Sequence, residues 1–289
     1  MTSRRSFIAA LGGLAAPAKA VADAARAAAA MPFAGNVGLE LYSLRREMAK
    51  DAPGTLARVG AMGFREVEVP GFVLAPSTVL RPQLDAAGLA CISYMGDPKR
   101  FDRDLPGLVA ETKAFGARFL VLPWIDHGDR LTPAQVDKAI QSMTTWARHV
   151  RSEGLRFAYH SHNYEFEPEG DHTLYERLVT ETPSIVEFEM DVFWFVLAGQ
   201  DPAAWLRRFP GRFPLFHLKD ARKGTPLPTL EMPGHEEASV ALGSGLVDFP
   251  SLLREAIRSG GERNFIEDES SEAAVNLPQS LAWLRGLKL

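Results

Sequence analysis

The sequence predicts a (β/α)8 barrel. Short β-branched apolar runs alternate with helix-like stretches from Val37 to the C-terminus, a pattern that builds a parallel sheet covered by helices. Eight such pairs fill the length usual for that barrel, about 250 residues. The connection after the first run, Leu39-Glu40-Leu41-Tyr42-Ser43, lacks the glycine-rich fingerprint that usually opens the rival doubly wound sheet.

In chain order the expected strands cover 37–41, 66–69, 90–93, 119–122, 157–160, 186–191, 215–219 and 264–266. The helices between them open on polar-proline pairs. Asp51-Ala52-Pro53 precedes a helix over 55–62, Thr132-Pro133 one over 134–153, and Asp201-Pro202 one over 203–209. Gly63, Gly88, Gly116 and Gly154 close helices and turn the chain toward the next strand. No break in composition follows residue 35, so residues 35–289 are expected to form a single domain.

Residues 1–30 read as an export signal. Arg4-Arg5 after Ser3, a mildly apolar stretch from Phe7 to Ala16, and the A-x-A sites Ala16-Pro17-Ala18 and Ala18-Lys19-Ala20 follow the order of a signal peptide. The paired arginines resemble a twin-arginine signal. The expected location is the periplasm, with no stable membrane insertion once the signal is cleaved. An amphipathic helix or a disordered tail is the bland alternative.

Composition excludes several classes. The formal net charge of −4 offers no basic field for a phosphate backbone, and nucleic acid is not expected as a partner. A single cysteine, Cys91, excludes an intrachain disulfide, a cysteine-rich zinc site and an iron–sulfur cluster. Beyond the N-terminal segment no apolar run reaches the length of a membrane span. Neither a Walker loop nor a G-x-S-x-G elbow is present. Any metal must therefore be held by histidines and carboxylates.

In this fold the C-terminal ends of the strands line the active site. Those ends carry Glu40, Glu68, His160, Asp191, His217 and Glu267. His160, Asp191, His217 and Glu267 lie 31, 26 and 50 residues apart in sequence, which places them on strands five to eight facing one mouth. Two imidazoles and two acids suit one divalent ion such as Zn, Mn, Co or Mg. Glu267 competes with Asp268 and Glu269; strand alternation puts Glu267 and Glu269 on one face and Asp268 on the other. Lys219 shares a face with His217, where it can meet substrate or pair with a carboxylate.

Five segments carry a resemblance to a known family: Gly38-Leu39-Glu40-Leu41-Tyr42-Ser43-Leu44-Arg45, Tyr159-His160-Ser161-His162-Asn163-Tyr164-Glu165-Phe166, Glu189-Met190-Asp191-Val192-Phe193-Trp194, Phe216-His217-Leu218-Lys219-Asp220 and Leu242-Gly243-Ser244-Gly245-Leu246-Val247-Asp248-Phe249. In order and type they resemble the sugar phosphate isomerase/epimerase family of xylose-isomerase-like barrels. The resemblance implies a metal-dependent enzyme that enolises a sugar or keto-sugar beside its carbonyl. In the sugar epimerases of that superfamily a Glu, an Asp, a His and a second Glu hold the metal, and the two Glu exchange the proton. Asp191, His217 and Glu267 match three of these places, and His160 takes that of the first Glu. One Glu then remains for proton exchange, and elimination from a keto-sugar becomes as natural as epimerisation. The superfamily's endonucleases carry further metal histidines where this chain has Trp194 and Ser239.

On this reading Glu267, His160 and Lys219 are the catalytic candidates. Glu40, Tyr42, His162, Glu165, Trp124 and Trp194 are candidates for holding a small sugar, the aromatic rings by stacking. Gly243-Ser244-Gly245 is a glycine turn able to approach a ligand. His127, His149, His172 and His235 read as loop or helix-surface residues. The rival function is a carbohydrate-binding barrel without turnover, and either protein is compatible with a homo-oligomer.

Overall fold

The computed structural model describes residues 37–231, 234 and 236–289; the expected export signal and His235 lie outside them. Eight parallel strands close a barrel: β1 (Val37–Glu40), β2 (Glu66–Pro70), β3 (Ala90–Met95), β4 (Phe119–Leu122), β5 (Arg156–His160), β6 (Val186–Asp191), β7 (Leu215–Leu218) and β8 (Arg263–Ile266). Each strand pairs with its neighbours in sequence, and β8 closes on β1 through Val37 opposite Asn264 and Leu39 opposite Ile266. A main helix follows each strand on the outside, α1 (Ala52–Met62), α2 (Ser77–Ala86), α3 (Leu105–Phe115), α4 (Pro133–Ser152), α5 (Leu174–Glu181), α6 (Pro202–Arg208), α7 (Phe249–Arg258) and α8 (Ala273–Gly286), with shorter helices in some of the loops. Among the described residues no helix is long and apolar enough to cross a membrane.

Local chemistry sets the boundaries. Asp51 caps α1 by accepting the Gly54 N–H at 2.9 Å. Thr132 and Gln135 cap α4 reciprocally. The four glycines expected to end helices all have positive φ. Strand β1 stops at Glu40, one residue short of the sequence expectation, because the Glu40 carboxylate caps the 3-10 turn Leu41–Leu44 through the Tyr42 N–H. Strand β3 runs two residues further than expected, to Met95.

Alternation along the strands sorts the interior into two compartments. Phe216, Leu218 and Ile266 join the layer between strands and helices. Leu215, Phe265, Ala158, Phe119, Val121 and Met95 point inward and plug the middle of the barrel. Gly38 is required here: a Cβ would come within 2.4 Å of the Phe265 ring. Below this plug, Arg156 bridges Glu187 and Glu262 at 2.6 and 2.7 Å and lies over the Phe119 ring. Above it the inward positions turn polar, and the site begins.

The glycine turn after β7 has a structural duty. Asp220 accepts the backbone N–H groups of Gly243 and Gly245 on one oxygen, and of Ala221 and Val247 on the other, at 2.9–3.1 Å. The turn's donors are therefore committed to Asp220, not offered to a ligand. Asp220→Ala leaves four N–H groups without their acceptor and is expected to lower stability by about 2–4 kcal/mol, read as a lower thermal midpoint with barrel circular dichroism retained.

Candidate metal centre and active site

The ends of β5 to β8 bring four acceptors together. His160, Asp191, His217 and Glu267 are all buried, and one ligating atom from each lies within 4.8 Å of the others. His160 Nε2 is 3.1 Å from His217 Nδ1, and Glu267 Oε2 is 3.0 Å from the same Nδ1. Asp191 Oδ2 stands 3.6 Å from His160 Nε2 and 3.8 Å from His217 Nδ1. Asp191 divides its work: Oδ1 accepts the Phe193 and Trp194 N–H groups, capping the short helix Val192–Leu197. Its Oδ2 is buried without a hydrogen-bond partner.

The outer partners of the two imidazoles fix what faces inward. His160 Nδ1 is 3.1 Å from the Pro123 carbonyl, which can only accept, so the proton sits on Nδ1 and the Nε2 lone pair points inward. His217 Nε2 is 2.6 Å from the Glu68 carboxylate, so Nε2–H donates and the Nδ1 lone pair also points inward. Two lone pairs 3.1 Å apart, beside two carboxylate oxygens, need a positive charge among them. An added proton on His217 supplies one, and a metal ion supplies it better by meeting all four atoms. The field is visible in the ionisation of these groups. Burial alone lowers the His217 pKa, yet Glu189, Asp191 and Glu267 outweigh it and lift it well above the ordinary value. Burial likewise opposes charge on Asp191 and Glu267. The histidines and Lys219 nevertheless hold Asp191 far below the usual carboxylate range, and Lys219 and His217 lower the Glu267 pKa as well.

A second layer of acids lies on the other side of His217. Glu40, Glu68 and His217 also meet within 4.8 Å, and Glu68 is fixed by the Ser93 hydroxyl. Glu189 Oε2 is 3.5 Å from His217 Nε2, and neither of its oxygens has a hydrogen-bond partner. Burial and the neighbouring Glu68 push Glu40 and Glu189 well above the usual carboxylate range, so each favours its neutral form. Sequence reasoning placed Glu68 at a strand end without a role. The parity of Glu189 with Asp191 on β6 points it inward too.

A cavity of about 330 Å³ opens above the four residues. Of the expected substrate-holding residues, Glu40, Tyr42, His162, Trp124 and Trp194 line it, together with His160, His217 and Glu267. Phe72, Met95, Pro123, Glu236 and Glu269 complete the wall. Glu269 was recognised as sharing a face with Glu267, whereas Phe72, on a loop without periodicity, gave no signal. Asp268 turns away as alternation required and binds Ser270 and Asn276. His162 is buried, its Nδ1 unpartnered; burial and nearby His160 lower its pKa well below the ordinary value, leaving a neutral ring.

One expectation is corrected and another is narrowed. Glu165 neither lines the cavity nor is a solvated loop charge. It is fully buried, holds the Tyr159 hydroxyl and accepts the His162 N–H at 2.9 Å, so it positions the segment that carries His162. Lys219, a catalytic candidate by its shared face with His217, takes the other expected course and pairs with carboxylates. It lies beside Glu267, 3.8 Å away, is paired to Glu269 and stands over the Phe193 and Trp194 rings. Burial favours the neutral amine, but Glu267, Glu269 and Asp191 outweigh it and raise the pKa, so Lys219 stays an ammonium.

Glu68→Gln replaces the carboxylate that orients His217 through Nε2 and is expected to weaken divalent-metal affinity about 10-fold, measured by competition with a chromogenic chelator; unchanged affinity would reject the role. Burial raises the Glu165 pKa to about 7, against the hydrogen bonds from Tyr159 and His162. The fold therefore binds this proton more tightly than the unfolded chain does, and wild-type stability falls as pH rises from about 4.5 to 7. The thermal midpoint of Glu165→Gln, minus that of wild type, should climb across this window.

A comparison with curated proteins finds no match. Among solved structures the chain is similar to a sugar phosphate isomerase/epimerase from Parabacteroides distasonis, at 22% identity, covering 86% of this chain and 93% of that one with a TM-score of 0.72. It is also similar to a probable 3-DHS dehydratase from Bacillus anthracis, at 12% identity, 88% and 100% coverage and a TM-score of 0.68. A third is a xylose isomerase-like TIM barrel protein from Mycobacterium smegmatis in complex with magnesium, at 15% identity, 86% and 95% coverage and a TM-score of 0.67. These likenesses show the fold. The sequence pattern of the xylose isomerase-like TIM barrel family matches residues 56–287, and the chain belongs to that family.

Proposed function

We propose that the protein is a metal-dependent isomerase or epimerase of sugars that acts by enolisation beside a carbonyl. The observation that carries this reading is the set of four converging acceptors, His160 Nε2, Asp191 Oδ2, His217 Nδ1 and Glu267 Oε2, of whose residues His160, His217 and Glu267 line an aromatic-walled cavity. A divalent ion held by these four residues supplies Lewis-acid activation of a carbonyl and its neighbouring hydroxyl. Its identity among Zn, Mn, Co and Mg is left to elemental analysis of the purified protein.

The chain's own residues do the rest. Glu267, kept ionised by Lys219 and His217, accepts the proton from the carbon beside the carbonyl. Lys219 keeps that carboxylate charged and fixed between itself and the imidazole. Glu40, favouring its neutral form, and Tyr42 donate to sugar hydroxyls from the mouth of β1. His162 offers a neutral imidazole, while Trp124 and Trp194 exclude water along the apolar faces of the ring. A specific observation favours a second reading, loss of a β-substituent from a keto-sugar: His160 has Nδ1 bound to the Pro123 carbonyl and Nε2 turned into the four-residue cluster, which leaves Glu267 as the carboxylate base suited to the step. On the Arg4-Arg5 segment we also place the protein in the periplasm, which cell fractionation checks directly.

Deuterium wash-in beside the carbonyl of keto-sugars, followed by NMR with the metal-loaded protein, should be abolished by chelator and reduced at least 100-fold in Asp191→Ala and His217→Ala. Exchange that survives chelation would overturn the proposal. Sugar binding with no exchange in any metal form would leave a carbohydrate-binding barrel.

A further inference from the structure

The mouth cavity does not end at its aromatic wall. Phe72 and Trp124, whose rings meet edge to face at 4.9 Å, also line a second hollow of about 650 Å³. It runs away from the barrel axis between the loop after β3, which carries the short helix Pro98–Phe101, and the N-terminal half of α4. The two hollows thus share one aromatic partition, Phe72 and Trp124.

The lining of the second hollow specifies what it receives. Trp146 supplies apolar surface. Lys99, Arg103 and Lys138 are matched by Asp97, Asp102 and Asp126, so the hollow carries no net field to select a phosphate or a carboxylate. Among the described residues, the side-chain charged groups of Lys99, Arg103, Lys138, Asp102 and Asp126 make no ion pair or hydrogen bond with one another or with any other described residue. They are donors and acceptors held ready at short range. Aromatic surface beside interspersed donors and acceptors suits a pyranose ring, which has apolar C–H faces and a rim of hydroxyls.

We infer that the substrate is an uncharged two-ring carbohydrate, one ring over the four-residue cluster and the second against Trp124 in the outer hollow. The inference rests on the reading of the mouth as a sugar site and adds the size and charge of its ligand.

The test is calorimetry and saturation-transfer NMR on the metal-loaded protein with cellobiose, maltose and lactose, against glucose, galactose and glucose 6-phosphate. At least one disaccharide is expected to bind 10-fold or more tightly than its constituent monosaccharides, and glucose 6-phosphate no better than glucose. The double variant Arg103→Ala with Lys138→Ala changes two exposed side chains that line the outer hollow alone. It should bring the disaccharide down to monosaccharide affinity and leave glucose and galactose unchanged. If monosaccharides bind and no disaccharide binds better, the inference falls while the mouth reading stands. A disaccharide advantage that survives the double variant, or a preference for glucose 6-phosphate, also overturns it. If none of the sugars binds, both readings fall.

Discussion

One imidazole ties the upper half of this barrel together. His217 donates through Nε2 to Glu68, and that bond determines that Nδ1 turns a lone pair toward His160, Asp191 and Glu267. Everything above the apolar plug is arranged around the charge that must sit there. Against their burial, Asp191 is kept ionised by the two histidines and Lys219, and Glu267 by Lys219 and His217, whereas Glu40 and Glu189, behind the ring and beside Glu68, are pressed toward neutrality. A single ring divides acids of opposite ionisation across a few ångströms, which is a common way to separate acid and base duties at one pH.

The closed cylinder supplies the geometry that makes this possible. Strand parity alone sends Leu215 and His217 inward and Phe216 and Leu218 outward, and likewise Phe265 and Glu267 against Ile266. The barrel is apolar in its middle, where Phe265 fills the space left by Gly38. It is sealed below by the Arg156 bridges. The polar groups at the top therefore face a low-dielectric floor, where their mutual interactions are weakly screened.

Most of this was legible in the sequence because it depends on period and position. The eight strands, the proline-led helix starts and the four residues His160, Asp191, His217 and Glu267 follow from alternation and from the rule that strand ends carry the site. What was not legible depends on distances between segments far apart in the chain. Glu165 looks like a loop charge until the Tyr159 hydroxyl and the His162 N–H are seen to enclose it. Lys219 has the right parity for a base, but only its two carboxylate neighbours reveal that it remains charged. The glycine turn suggested ligand contact, and the acceptor it meets is Asp220, some two dozen residues earlier. Glu68 and Phe72 sit on or after β2, away from strands five to eight, and their contributions to the centre arise solely from closure of the ring.

Asp191 illustrates how tightly such a centre can be written into the code. One of its oxygens ends a strand's worth of geometry by holding two amides of the next helix, while the other faces the cluster unpartnered. Asparagine would keep the first duty and surrender the charge; glutamate would keep the charge but overshoot the amides that seat the helix bearing Trp194. Substitution at this codon is thus hemmed in from both sides, and the aromatic wall and the acceptor cluster cannot drift apart independently.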